Sequence, residues 1–138
     1  SWERVFCNWC DKNENVLKWA SEEISIPYYF DGKVRRYFPD YLIEFRDTQG
    51  RVKKQLIEVK PKKQTQPRKP PARVTKSFLY EAAMYEKNIA KWKAAREFCL
   101  DNMIEFRIIT EDELGIKQHG RGTGRVSSKR HSKNRRSN

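Results

Sequence analysis

Residues 36–60, RYFPDYLIEFRDTQGRVKKQLIEVK, read as two strands joined by a tight turn, and this hairpin decides the fold. Val34–Arg46 is rich in aromatic and β-branched residues, with Pro39 near the point where the chain enters the sheet. Asp47-Thr48-Gln49-Gly50 is hairpin-turn chemistry, since Asp bonds its own backbone and Gly accepts a positive φ. Arg51–Lys60 then alternates as the returning strand. If Asp47 faces Arg51 across a three-residue loop, Asp40 lies directly opposite Glu58. With a two-residue loop, Asp40 faces Ile57 and sits diagonally from Glu58. Opposed Cβ atoms are about 4.5–5.5 Å apart, so both registers bring the carboxylates close together. Glu58 and Lys60 alternate on one strand and share a face.

Two carboxylates packed together on a central sheet repel, and burying them unpaired is costly. A divalent cation resolves the repulsion, and hard oxygen donors favour Mg²⁺ or Mn²⁺. The metal ligands expected are Asp40, Glu58 and the backbone carbonyl of Val59. Lys60 beside them suits orientation of a water or stabilisation of charge developing on a phosphate. A Glu-x-Lys tripeptide alone carries almost no information. Its weight here comes from the apolar run Leu56-Ile57 and Val59 that the charges interrupt, and from Pro39-Asp40 one strand earlier.

Outward from the hairpin, residues 1–12 read as a helix with Trp2, Val5, Phe6 and Trp9 as its core stripe. Asp11–Asn15 is turn-like, Ile24–Phe30 reads as a strand bent at Pro27, and Asp31-Gly32 is a turn. Pro61–Ala72 holds four prolines and four basic residues and reads as an extended connector. Thr75–Asn102 is the longest periodic stretch, a helix with Phe78, Ala82, Tyr85, Ile89, Trp92 and Cys99 inward. Met103–Ile109 reads as a last strand and Glu111–Leu114 as a helical turn. The expected architecture is therefore α/β: helix, three strands, long helix, strand, forming a mixed sheet flanked by helices over residues 1–114. Residues 115–138 lack any hydrophobic period and read as a basic tail, disordered without a partner.

The net charge of +12 is concentrated. Residues 61–76 carry six basic side chains and 115–138 carry eight, neither with an acid, while the remaining body has 16 basic and 18 acidic residues. Such blocks point to a polyanion partner, through counterion release from phosphates. Lys62, Lys63, Arg68, Lys69 and Arg73, in the proline-rich loop 61–74, follow Lys60 directly and are the leading phosphate contacts. Arg35 and Arg36 are further candidates, and the long helix offers Lys76 or Lys93. No base-reading element stands out, so binding is expected to be phosphate-dominated and salt dependent.

The odd set of Cys7, Cys10 and Cys99 reads as buried thiols in a reducing compartment. The Cys7-x-x-Cys10 pair lacks two further zinc ligands, because His119 and His131 fall in the basic tail. No apolar run reaches the roughly 20 residues of a membrane helix, and no signal-peptide pattern is present. Ser1 stands where an initiating Met is absent, so a preceding segment is expected. No small-molecule cofactor is called for.

Pro39-Asp40 followed by Glu58-Val59-Lys60 resembles the signature of the PD-(D/E)XK nucleases, and the element order is similar to their αβββαβ core. The resemblance implies Mg²⁺-dependent phosphodiester cleavage, acidic metal ligands and a Lys near the attacking water. It also adds Glu3, which matches a Glu that many members contribute from the first helix. A narrower likeness runs through Ser1-Trp2-Glu3-Arg4, Trp19-Ala20-Ser21-Glu22-Glu23, Ile26-Pro27-Tyr28, Arg36-Tyr37-Phe38-Pro39-Asp40 and Glu58-Val59-Lys60-Pro61-Lys62-Lys63-Gln64. With Lys91-Trp92, Phe106 and Thr110-Glu111-Asp112, these stretches resemble the head completion nucleases of T-even-type tailed phages. That likeness implies action late in capsid maturation, portal, neck or head proteins as partners, and a location in the virion and, during assembly, the host cytoplasm. Two alternatives stand beside it: a structural head or neck protein keeping the nuclease fold, and a transposon end-cleaving endonuclease of the TnsA type.

Overall fold

The computed structural model describes residues 2–116; the basic-tail reading from Lys117 onward lies outside the described residues. Helix α1 (Trp2–Lys12) precedes strands β1 (Val16–Ser21), β2 (Ile26–Phe30), β3 (Lys33–Tyr37), β4 (Tyr41–Arg46) and β5 (Val52–Val59). A short 3₁₀ turn (Lys62–Thr65), helix α2 (Lys76–Asp101), strand β6 (Glu105–Ile109) and helix α3 (Glu111–Leu114) follow. The main sheet has the order β1-β4-β5-β6, and β2-β3 form a separate two-stranded ribbon. The main sheet is antiparallel except for the parallel β5–β6 pair. The frame α1-β1-β4-β5-α2-β6 is thus the expected αβββαβ core with a mixed sheet, and β2-β3 is an insertion into it.

Three expectations change in detail. The first core strand is β1, not Ile24–Phe30, which becomes β2 of the inserted ribbon. Strand β1 escapes a period-two reading because its register slips between Val16 and Lys18, which breaks the alternation along VLKWAS. Val34–Arg46 is two strands in two sheets, divided at Phe38-Pro39-Asp40. Pro39 is fully buried and has no N–H to offer a ladder, so the chain changes sheets there. Finally, Met103 takes a left-handed φ of 57°, so β6 starts only at Glu105.

The decisive hairpin has the three-residue loop. Pairs run from Tyr41↔Ile57 to Arg46↔Val52, and Asp47 donates its N–H to the Arg51 carbonyl at 2.8 Å. Gly50 takes φ +79°, and the Asp47 carboxylate accepts the N–H groups of Gln49 and Arg51. Those bonds hold the Asp47 carboxyl below the usual range, with the Arg51 N–H the largest cause.

Alternation on β4 and β5 sorts the core into two layers. Tyr41, Ile43 and Ile57 pack with Phe6 and Cys10 of α1, Val16, Trp19 and Ile109. Leu56 packs with Trp92, Ala95 and Cys99 of α2 and with Ile26, Tyr28 and Tyr37 of the ribbon. The helix faces hold the expected Phe6, Trp92 and Cys99 and differ from expectation at single positions. On α1, Cys10 is buried while Trp9 is 39% exposed; on α2, Asn88 is buried while Ile89 is 40% exposed. The aromatic ribbon packs on α2 beside the sheet and so selects the face through Asn88, Trp92, Ala95 and Cys99. Cys10 and Cys99 are buried and Cys7 only partly buried, and burial raises the Cys99 thiol to about 11.

Candidate active site

The site lies at the end of β4–β5 where the ribbon leaves the main sheet. With the observed register, residues 39 and 59 would be the next hydrogen-bonded pair of the ladder. The chain has kinked at Pro39, and the Val59 N–H instead donates to Asp40 Oδ2 at 2.8 Å. The Pro-Asp dipeptide thereby does two jobs: Pro39 ends one strand, and Asp40 caps its neighbour with a carboxylate. The backbone of Asp40 is fixed as well, because its carbonyl accepts the Glu22 N–H at 3.0 Å.

Extending the register one position beyond Tyr41↔Ile57 sets Glu58 opposite Asp40, and Glu58 is only 7% exposed. Its Oε1 accepts the Tyr37 hydroxyl at 2.6 Å, and its Oε2 is 3.4 Å from Lys60 Nζ. The Asp40 carboxyl is raised to about 7, by burial first and the Glu58 charge second, with the Val59 N–H and Lys60 opposing. One lysine therefore leaves the acid pair short of positive charge. Among the described residues no cluster of three or more His, Cys, Asp or Glu could hold a metal. Two carboxylates and backbone oxygen are a poor zinc set but fit a small, hard cation that keeps several waters, such as Mg²⁺.

Of the expected site residues, Asp40, Glu58 and Lys60 converge, and Val59 joins them through its N–H. Glu3 is exposed in the first turn of α1; its charge pushes both Asp40 and the Tyr41 hydroxyl upward, which places it at the margin of the pair. The helix lysine at the site is Lys91, where Lys76 or Lys93 was expected; those two are exposed. Lys91 Nζ lies 5.5 Å from the centre of the Tyr37 ring, and its pKa is lowered chiefly by burial. Tyr37 is also new to the site. Its hydroxyl is pushed well above the usual range by burial and then by Glu58. Sequence spacing cannot reveal either residue, since Tyr37 reaches Glu58 from the separate ribbon and Lys91 approaches from α2 over the Tyr37 ring.

The basic candidates divide. Lys63, Lys69 and Arg73 are exposed and form no ion pair among the described residues. Lys62 is 3.1 Å from Asp112 and donates its backbone N–H to Glu111. Arg68 is pinned to α2, 3.3 Å from Glu81, 3.4 Å from Ser77 Oγ, and over the Phe78 ring. On the ribbon, Arg36 is exposed, while Arg35 folds back on the carbonyl and ring of Phe30.

The chain belongs to the family of TnsA-like endonuclease N-terminal domains, which it matches over residues 13–111. It is 43% identical over 120 residues to the head completion nuclease of Enterobacteria phage T4, an alignment covering 83% of this chain and 77% of that protein. No solved structure gives a significant match. The family match agrees with the αβββαβ core, and its range includes Asp40, Glu58 and Lys60.

Proposed function

With that family as premise, we propose that this chain is a Mg²⁺-dependent endonuclease that hydrolyses DNA phosphodiester bonds during completion of a phage head. The observation that carries the reading is the facing pair Asp40 and Glu58 with Lys60 ion-paired to it, in a chain 43% identical to a head completion nuclease. Asp40 Oδ1, which makes no hydrogen bond among the described residues, and Glu58 would hold the cation, together with the Val59 carbonyl. When bound, Mg²⁺ supplies Lewis-acid polarisation of the phosphate and acidification of a water.

The protein's own contribution is placement. The Val59 N–H fixes the Asp40 carboxylate, and β5 alternation puts Lys60 Nζ on the same face as Glu58. Lys60 donates to a non-bridging phosphate oxygen and stabilises charge as it builds there. Lys63, Lys69, Arg73 and Arg36 hold the DNA backbone nearby. Glu3 assists from the margin of the pair. Portal, neck or head proteins as partners, and residence in the virion and, during assembly, in the host cytoplasm, belong to the same proposal.

A supercoiled-plasmid assay tests this reading. The wild type is expected to nick or linearise plasmid with Mg²⁺ or Mn²⁺ and not with EDTA, and Asp40→Ala is expected to be inactive. Cleavage that persists in Asp40→Ala, or none with any divalent ion, refutes it.

A further inference from the structure

Tyr37 ends β3, and its side chain leaves the inserted ribbon to reach the main sheet. It is only 4% exposed and packs with Leu56 and Trp92. Its hydroxyl claims Glu58 Oε1 while Lys60 takes Oε2, so both oxygens of that carboxylate are oriented from outside. The terminal torsion of a Glu is otherwise broad, with no strongly preferred setting. A carboxylate oriented beforehand binds a cation with less ordering to pay for, and loss of such supporting partners weakens metal sites.

The face of the same ring holds Lys91. Its ammonium forms no ion pair among the described residues, yet both acids act on it electrostatically. Paired directly to Glu58 or Asp40, it would cancel the charge that attracts a cation. Held over the ring instead, it stays available to an anion.

We propose that Tyr37 is a positioning residue with two outputs: its hydroxyl orients Glu58 toward a divalent cation, and its ring holds Lys91 as a second phosphate-contacting cation alongside Lys60. This rests on the metal-dependent nuclease reading above and adds a division of labour to it.

The two outputs separate experimentally. Tyr37→Phe deletes the hydroxyl and keeps the ring; Lys91→Met deletes the ammonium and keeps the Tyr37–Glu58 bond. Mn²⁺ affinity is read from the free-ion electron paramagnetic resonance signal, and duplex affinity from fluorescence anisotropy in EDTA, where nothing is cleaved. Tyr37→Phe is expected to bind Mn²⁺ about 10-fold more weakly with duplex affinity unchanged. Lys91→Met is expected to bind Mn²⁺ at least as tightly as the wild type. Its duplex affinity falls, with a salt slope smaller by about 0.9. Thermal melts of both variants accompany the titrations. A purely structural Tyr37 would lower stability without these opposed shifts. Wild-type Mn²⁺ affinity in Tyr37→Phe overturns the orienting role, and unchanged duplex affinity in Lys91→Met overturns the phosphate role. If Asp40→Asn binds Mn²⁺ as the wild type does, the underlying nuclease reading fails and this proposal with it.

Discussion

The Val59 N–H donates to Asp40 Oδ2 at 2.8 Å, in the ladder position beside a proline that has turned the chain away. This bond holds a carboxylate that is also buried and faces Glu58. Burial first and the Glu58 charge second raise the Asp40 carboxyl to about 7, against 3.8 for the ordinary group, with the Val59 N–H opposing. Between those values the folded chain binds more protons than the unfolded one, so without metal this group's contribution to stability falls as pH rises. Asp40→Asn is expected to remove that slope, making the metal-free protein more stable than wild type at pH 7.5 and inactive. Urea melts in EDTA at pH 5 and 7.5 measure it; equal slopes in both proteins contradict it.

Asp47 carries the opposite sign. Its carboxyl is held low by the turn's N–H groups, so its contribution is present above the ordinary carboxylate pKa and is lost as pH falls through its lowered value. Asp47→Ala is expected to melt earlier than wild type at neutral pH, with the difference shrinking in strong acid. Melting curves across that range would show a constant difference if the turn bonds contribute nothing.

Lys60→Met is expected to retain Mn²⁺ binding and to lose about 10²–10³-fold in nicking rate, the scale for removing one donor to developing charge. A rate within a few fold of wild type, measured in single turnover, would remove Lys60 from the chemistry.

The basic loop should respond unevenly. Alanine at Lys63, Lys69 or Arg73 is expected to lower the slope of log affinity against log salt by roughly 0.9 for each lost phosphate contact. Arg68→Ala, which releases the loop from Glu81, Ser77 and Phe78, should change that slope less and instead speed proteolysis within residues 61–75. Identical slopes for all four variants would mean the loop makes no ordered contacts.

Ile57 is fully buried in the layer under α1, beside Glu58 on the same strand. Ile57→Ala is expected to cost about 2–5 kcal/mol in denaturant unfolding, through lost burial and the cavity left behind. A cost below 1 kcal/mol would show that α1 collapses into the space.

Asp40, Glu58 and Lys60 were legible because hairpin register and strand alternation are local rules, and Asp47 and Gly50 fixed the loop length. Strand β1 was hidden by a bulge, and the break at Pro39 was hidden because aromatic residues flank it on both sides, Tyr37 and Phe38 before and Tyr41 after. The helix faces were read correctly at Phe6, Trp92 and Cys99 but not at Trp9 and Ile89, since periodicity alone cannot tell which partner a helix meets. Here the ribbon's Tyr28 and Tyr37 settle it. Lys91 was legible only within the Lys91-Trp92 likeness, and its place over an aromatic ring is set by tertiary packing.

The ribbon that delivers Tyr37 pairs with no strand of the main sheet and is anchored by side-chain packing on α2. A lone two-stranded ribbon is only marginally stable by itself. Its opening can therefore precede global unfolding, as a sub-global event with its own smaller free energy. Fold integrity and catalytic readiness are then separate thermodynamic quantities in this chain. Amide exchange in Ile26–Tyr37 would report the second, while exchange in β4 and β5 reports the first.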